Sequence, residues 1–446
     1  MQLYRLAPSV QLLSRLHSMY NMTQKSLPME GNLSNLSDYS LQFNRWFLKP
    51  IGAWPPSPTS SRLERTLSFV LNILCYSFIL STVIPCAFYI LLEDADIYSK
   101  LRMVGPLTHW SIGGVNYTLL LLRSKEIRDC VQHMQTDWKI VTRDRDQRVM
   151  LKKAKFGRFV AVFCAAFMQG GVLCYCVIRA FTTVTIEIGN MTRTLRVLPC
   201  TAYKNMIAVD TNPTNEIVLA SQFVSGFIVN SSAVGAFGLA AVFAAHAYAQ
   251  LSVVMARITE FVNEWKDRKG NVRYNKIDMI VERHLRVLSF IERIENAMSV
   301  ICFMELFKCT LNICMIGYYI LTAWVDNDFQ TLVMYAVILS SMSFNIFTVC
   351  YIGEVLTEQC RKVGEVVYMT NWYYLPEKHI LELSLIIVRS SLAIKITAGK
   401  LFHMSIHTFG QFIGISGYEN CFRVSESVAT SNVTKYVPLT NCYASL

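Results

Sequence analysis

Charge is scarce in this chain. Only 16% of its 446 residues are Asp, Glu, Lys or Arg, where a soluble protein carries about a quarter. That deficit argues against a set of ordinary soluble domains. Paired cysteines are missing too. There are 14 cysteines but no C-x-x-C, so neither a zinc site nor a disulfide framework is expected. Nine of them (Cys75, Cys86, Cys164, Cys174, Cys176, Cys302, Cys309, Cys314 and Cys350) fall inside apolar segments and behave there as small hydrophobes. Residues 1–29 hold no acid, and no continuous apolar core follows Arg5. No secretory signal is expected, and a cytoplasmic extension fits better. Catalytic patterns are lacking. His403 and His407 lie four apart, but Met404 stands where a metalloprotease has Glu, and no third ligand follows. Gly399-Lys400 is no phosphate loop, since Ile394 and Leu401 replace its first Gly and its Ser/Thr. No enzyme, metal or cofactor is expected.

Long apolar runs are what the chain has. It is 53% hydrophobic with a mean hydropathy of +0.33, and runs near 20 residues, the length a bilayer helix needs, recur along it. Spans are expected at about 67–92, 103–122, 159–182, 216–255, 298–324 and 329–356. Pro85 is the expected kink in the first. The Ser- and Asn-rich tract through residue 40 reads as poorly ordered, and residues 183–215 as a polar loop. The four regions are 1–66 (N-terminal), 67–356 (six spans and loops), 357–402 (a cytoplasmic helical region) and 403–446 (an atypical last span with its tail). The fold class is an all-α polytopic membrane bundle.

Orientation follows from charge. The net charge is +11. Nucleic acid is not the expected partner, because Lys and Arg of a membrane protein gather in cytoplasmic loops. Alternate connections hold 33 of the 42 bases: seven before the first span, eleven in 123–158, nine in 257–295 and six in 357–400. The N-terminus is therefore expected in the cytoplasm. A G-protein-coupled receptor has its N-terminus outside. The sequons at Asn21, Asn32 and Asn35 would suit that, but the D-R-Y and N-P-x-x-Y motifs are absent. Asn190 is the sequon in the large outer loop and the candidate glycosylation site.

Glu305 and Lys308 are three apart in the fifth span and can pair on one helical face. Such charges either line a watery path or neutralise each other structurally. Aromatic groups cluster toward the outer halves of the spans: His109, Trp110, Tyr175, Phe223, Tyr318, Tyr319 and Tyr335. An apolar cavity there, with few polar groups, would suit a small volatile organic ligand.

Near the end the chain reads Trp372-Tyr373-x-Leu375-Pro376, then Arg389-Ser390, then Ile396-Thr397-Ala398-Gly399-Lys400. The period of Ile380, Leu383, Leu385, Ile387, Leu392 and Ile396 predicts one long helix from the Pro376 turn to that last stretch. These motifs, with Ile51-Gly52-x-Trp54-Pro55 before the first span, resemble the insect odorant receptor family over roughly residues 40–412. The resemblance implies a seven-span, tetrameric cation channel opened by odorants in the plasma membrane of sensory neurons. It implies a tuning subunit beside a shared co-receptor, because the 257–297 loop is far shorter than the co-receptor's. It also implies that 357–400 form an anchor where subunits meet, with the next helix lining the pore. Trp372, Tyr373, Leu375, Pro376, Arg389, Ser390, Thr397, Gly399 and Lys400 would then serve packing and assembly. After Phe409 the family pattern stops: Glu419, Asn420, Arg423, Glu426 and Lys435 interrupt the apolar run. A compromised seventh span is expected there. The alternatives are a gustatory receptor, a G-protein-coupled receptor and an inactive family member.

Overall fold

A computed structural model of the chain describes residues 33–57, 60–188, 191–267, 275–325, 327–392 and 395–414. In order these form α1 (Leu33–Leu48), α2 (Arg62–Leu92), α3 (Ile97–Leu122), α4 (Ser124–Ile140), α5 (Asp144–Phe181), β1 (Thr183–Ile188), β2 (Met191–Arg196), α6 (Thr214–Asp267), α7 (Asn275–Val325), α8 (Phe329–Met369), a 3-10 turn (Trp372–Tyr374), α9 (Glu377–Ser391), β3 (Thr397–Ala398) and β4 (Phe402–His403). A further helix starts at 406 and continues to 414.

Five of these helices, α2, α5, α6, α7 and α8, are long and apolar enough to cross a membrane. Helix α3 is not among the five, yet its 26 residues rise about 39 Å, enough for a hydrocarbon core of about 30 Å. Its polar groups turn inward instead. Trp110 and Asn116 are buried. The basic stretches are helical where they are described. The 123–158 segment makes α4 and the lower half of α5, and 257–295 extends α6 and α7 well beyond one membrane thickness.

Helix α6 is the axis of the bundle. Its run Ser231-Ser232-Ala233-Val234-Gly235-Ala236-Phe237-Gly238 is buried on every side, as small residues permit when helices approach closely. A Cβ on Gly238 would lie 2.1 Å from Asn44 Oδ1, and one on Gly235 would lie 2.3 Å from Leu48 Cδ2. Helix α1 sits in that depression. The expected disorder before residue 40 is thereby corrected from Leu33 onward: Ser40, Leu41, Asn44 and Leu48 share one buried face. The turn after α1 carries Ile51-Gly52-x-Trp54. Gly52 has φ +69°, a conformation that glycine adopts without Cβ strain. Tyr117 Oη donates to the Ile51 carbonyl at 2.7 Å and so ties the turn to α3. The expected outer loop holds an antiparallel hairpin, with Thr183 opposite Arg196 and Ile188 opposite Met191.

Below the bundle, α4, α6 and α7 meet at a buried carboxylate. Asp137 accepts from Arg286 Nε at 2.7 Å and lies 3.1 Å from His246 Nε2 and 3.5 Å from His133 Nε2. Burial pushes the Asp137 carboxyl up, but His246, Arg286 and His133 together outweigh it and hold it below the ordinary value. Asp146 binds Arg257 beside it.

Burial brings the imidazolium of His133 down from the usual 6.5 to about 4, against the pull of Asp137. Burial, then Arg389, does the same to His284. Both histidines are therefore neutral in the fold at pH values where the unfolded chain protonates them. Their contribution to stability is complete above pH 6.5 and is lost as the pH falls toward about 4. The melting temperature of the detergent-solubilised chain should drop through that window. His133→Gln should flatten part of the slope, and a flat profile for the unmutated chain would contradict neutral burial.

Candidate functional site

In the upper bundle five helices line a cavity of ≈ 100 Å³. Helix α3 supplies Gly105, His109 and Trp110, α5 supplies Tyr175 and Arg179, α6 supplies Asn230, α7 supplies Lys308, Asn312 and Tyr319, and α8 supplies Tyr335 and Asn345. Five of the seven aromatic candidates converge here: His109, Trp110, Tyr175, Tyr319 and Tyr335. Phe223 and Tyr318 do not. Phe223 packs against an outer cluster of Leu198, Ala202, Val209 and Leu219. Tyr318 lies behind Tyr319, ring against ring at 5.9 Å. One residue along a helix turns the side chain by about 100°, which separates Tyr318 from its neighbour.

The walls are aromatic and polar atoms within them are unmatched, Arg179 Nε among them. Trp110 Nε1 and Asn345 Oδ1 are buried without a hydrogen-bond partner. A buried donor or acceptor left unpaired costs about 1–3 kcal/mol, and a polar ligand group could satisfy either one. Asn230 has partners instead, donating to Gln169 Oε1 at 3.0 Å. The cavity is smaller than the usual small-molecule pocket of about 300–1,000 Å³. A ligand of more than a few heavy atoms must therefore displace side chains.

Tyr319 has a role that sequence patterning missed. Its hydroxyl donates to the Leu101 carbonyl at 2.8 Å and accepts from Gly105 N at 3.1 Å. It thus stands inside the i→i−4 ladder of α3, next to Pro106, which cannot donate. A side chain inserted this way is a recognised cause of helix distortion. The signal that could have found it is Gly105-Pro106 inside a span. Arg179 stands near the outer end of α5. It stacks over the Tyr175 ring at 5.5 Å and lines the cavity.

Glu305 and Lys308 form an ion pair at 2.6 Å, both almost fully buried. Asn116 Nδ2 donates to Glu305 Oε1 at 2.6 Å. Lys308 also lines the cavity floor, so the pair is both structural and at the site.

The motif region folds differently from the single long helix expected. Helix α9 stops at Ser391, and Ile396–Lys400 form a tight β3–β4 turn. Gly399 (φ +62°) and Lys400 (φ +61°) are both left-handed, which ends the helical period before Ile396. The turn is clamped to α7. Glu295 accepts from Thr397 N at 2.8 Å and from the Thr397 hydroxyl, while Gly399 N donates to the Ser299 carbonyl at 2.9 Å. A Cβ on Gly399 would fall 2.9 Å from Phe303 Cγ. Leu375 and Ser390 are buried, whereas Trp372, Tyr373, Pro376, Arg389 and Lys400 are exposed. Exposed beside them is an apolar stripe on α9 of Leu381, Leu385 and Val388. Asn190 lies outside the described residues, as does the chain beyond 414.

A sequence profile of the 7tm Odorant receptor family matches residues 104–417. The chain belongs to that family. Its similarity to individual odorant receptors is local. It is 26% identical to putative odorant receptor 92a of Drosophila melanogaster over 33% of this chain and 34% of that one. It is 23% identical to odorant receptor 67c of the same fly over 31% and 33%. The chain thus spans about a third of the length of these relatives. The fold match is far wider. The insect olfactory receptor OR5 of Machilis hrabei superposes with a TM-score of 0.71 at 15% identity, covering 88% of this chain and 99% of that one. Its complex with eugenol gives 0.70 at 13% identity over 89% and 100%. These relatives are odorant receptors and not enzymes, and this odorant receptor shares their polytopic helical fold.

Breaking the buried pair on one side leaves an uncompensated charge, at a cost of about 3–5 kcal/mol. Lys308→Met alone should sharply reduce the yield of monodisperse receptor in fluorescence-detected size exclusion. Adding Glu305→Gln should restore most of it. If the double variant is no better than the single, an unneutralised Glu305 is not what destabilises the single variant. Separately, Glu295→Ala leaves Thr397 N unpaired and should cost about 1–3 kcal/mol, read as a lower melting temperature.

Proposed function

We propose that this odorant receptor is the ligand-binding tuning subunit of a heteromeric, odorant-gated, non-selective cation channel, assembled with a co-receptor subunit in the plasma membrane of sensory neurons. The observation that carries it is the aromatic-lined cavity with unmatched polar atoms at Trp110 and Asn345. It lies within a fold shared with a receptor solved in complex with eugenol. His109, Trp110, Tyr175, Tyr319 and Tyr335 would contact a small volatile organic molecule, chiefly through their rings. Entry past Tyr319 loosens α3 and α7 together. Because α7 also holds Thr397 and Gly399 through Glu295 and Ser299, its movement reaches the helix that starts at 406. That helix would open into the pore.

The charge distribution supports a cytoplasmic N-terminus, with α4, the lower ends of α5–α8 and α9 on the same side. There the exposed Trp372, Tyr373, Pro376 and Arg389, with the stripe of Leu381, Leu385 and Val388, would meet neighbouring subunits of a heterotetramer. Asn190, between the outer strands, would carry a glycan. The charged residues after Phe409 favour a second reading, an inactive member of the family.

Co-expression with a co-receptor in cells lacking G-protein signalling should give odorant-evoked cation current. Trp110→Ala should weaken the response about tenfold or more in half-maximal concentration, as loss of about 1.4 kcal/mol of binding requires. A current that needs a G protein, or an N-terminal tag accessible in intact cells, would sink the channel reading. A current recovered only after grafting a family-type last span beyond Phe409 would establish the inactive reading instead.

A further inference from the structure

Three cations line the cavity described above: Arg102, Arg179 and Lys308. Two of them have a carboxylate to answer them. Lys308 pairs with Glu305 at 2.6 Å, and Arg102 has the Asp328 carboxylate within electrostatic reach. Arg179 differs. Among the described residues, the titratable groups that act on its guanidinium are Tyr175, Tyr335 and Cys200, all of types that are neutral at pH 7. No carboxylate is among them.

A base in the last turn of a helix is favoured by the helix dipole, so the position of Arg179 on α5 is accounted for. The direction of its side chain is not. A long basic side chain near a membrane surface ordinarily carries its head into water. Arg179 is only partly exposed. Its guanidinium stays over the Tyr175 ring at 5.5 Å, and its Nε is buried without a hydrogen-bond partner. A planar cation with five N–H donors therefore stands at the outer end of the cavity. Beneath it lie aromatic rings and a free volume of ≈ 100 Å³.

We propose that the guest of this cavity is a short-chain carboxylic acid, bound as its carboxylate on the Arg179 guanidinium with its alkyl chain among the rings of Tyr175, Tyr335 and Trp110. The inference rests on the reading of this cavity as the ligand site and adds the chemical class of the guest. The sign follows from the one charge that no acid answers. The group follows from the fork: two parallel N–H donors match the two oxygens of a carboxylate. The short chain follows from the volume, which holds only a few carbons before side chains must move. A carboxyl is ionised at pH 7, and its charge-assisted bonds are roughly twice as strong as those of a neutral hydroxyl. The acid is therefore favoured over the alcohol of the same chain.

The test uses the full chain purified in detergent at neutral pH. It reads the concentration at which each probe gives half of its rise in melting temperature. Sodium butanoate, butan-1-ol and sodium chloride are the probes. Butanoate should act at a concentration about tenfold lower than butan-1-ol, as the gain from a charge-assisted bond requires. Chloride should have no effect in that range. Arg179→Gln should remove the preference for the acid, and Arg179→Lys, which keeps the charge without the fork, should retain part of it. The comparison in the unmutated chain stands even where a variant folds poorly. Equal action of acid and alcohol overturns the proposal, and so does a preference that survives Arg179→Gln. Chloride acting as well as butanoate also overturns it and marks a site for any small anion. A shift with butan-1-ol alone removes the acid class and leaves the cavity reading in place, whereas no shift with any probe removes both.

Discussion

Close approach to α6 is the constraint on which the rest of this structure depends. In a bilayer there is no hydrophobic gain from bringing helices together, so packing and inter-helix hydrogen bonds must do it. The Ser-, Ala- and Gly-rich middle of α6 lets α1, α3 and α5 come within contact of its backbone. Val229 of α6 occupies the space a Cβ on Gly113 would need, at 2.1 Å, and Trp110 lies 3.3 Å from where one on Gly226 would sit. Trp110 thus faces the cavity because α6 is slim at that level. The cavity and the bundle axis have one cause.

A second layer of order comes from buried charge. Glu305, Lys308 and Asn116 join α7 to α3 inside the membrane, and Asp137 with Arg286 and His246 joins α4, α7 and α6 below it. Such groups add little net stability, because desolvation offsets attraction. What they contribute is register: each helix has one position along its axis at which its charge is matched. Long, nearly featureless apolar helices need that, since apolar contacts alone would tolerate a slip of a turn.

Much of this was legible in the sequence, and the failures share a cause. Apolar length announced the spans, and the three-residue spacing of Glu305 and Lys308 announced their pairing. Five aromatic candidates met because each sits toward the outer half of a span. Tyr318 and Phe223 do not line that cavity, because depth is readable from sequence while rotation about a helix axis is not. The helix expected through Ile396 failed because Leu392 and Ile396 keep the helical period although Gly399 requires φ > 0. Gly399 packs against Phe303 and Ile396 is buried, and periodicity cannot tell a buried residue outside a helix from a helical one. The β1–β2 hairpin was missed although T-V-T-I-E-I alternates. The helix α1 was missed because its polar Asn44, like Leu48, is buried against a glycine far away in the chain.

The hydroxyl of Tyr319 makes α3 and α7 a single hydrogen-bonded body at their outer ends. A molecule that pushes this ring aside opens two bonds of another helix before it gains any contact of its own. Molecules able to offer both a donor and an acceptor at that spot can replace what they remove, whereas a plain hydrocarbon of the same shape leaves Gly105 N and the Leu101 carbonyl to pair only by closing the α3 ladder on themselves. Polar groups arranged this way discriminate far more sharply than apolar walls do. Chemical preference at this site would then be written less in the shape of the cavity than in the bonds a guest must break to enter it.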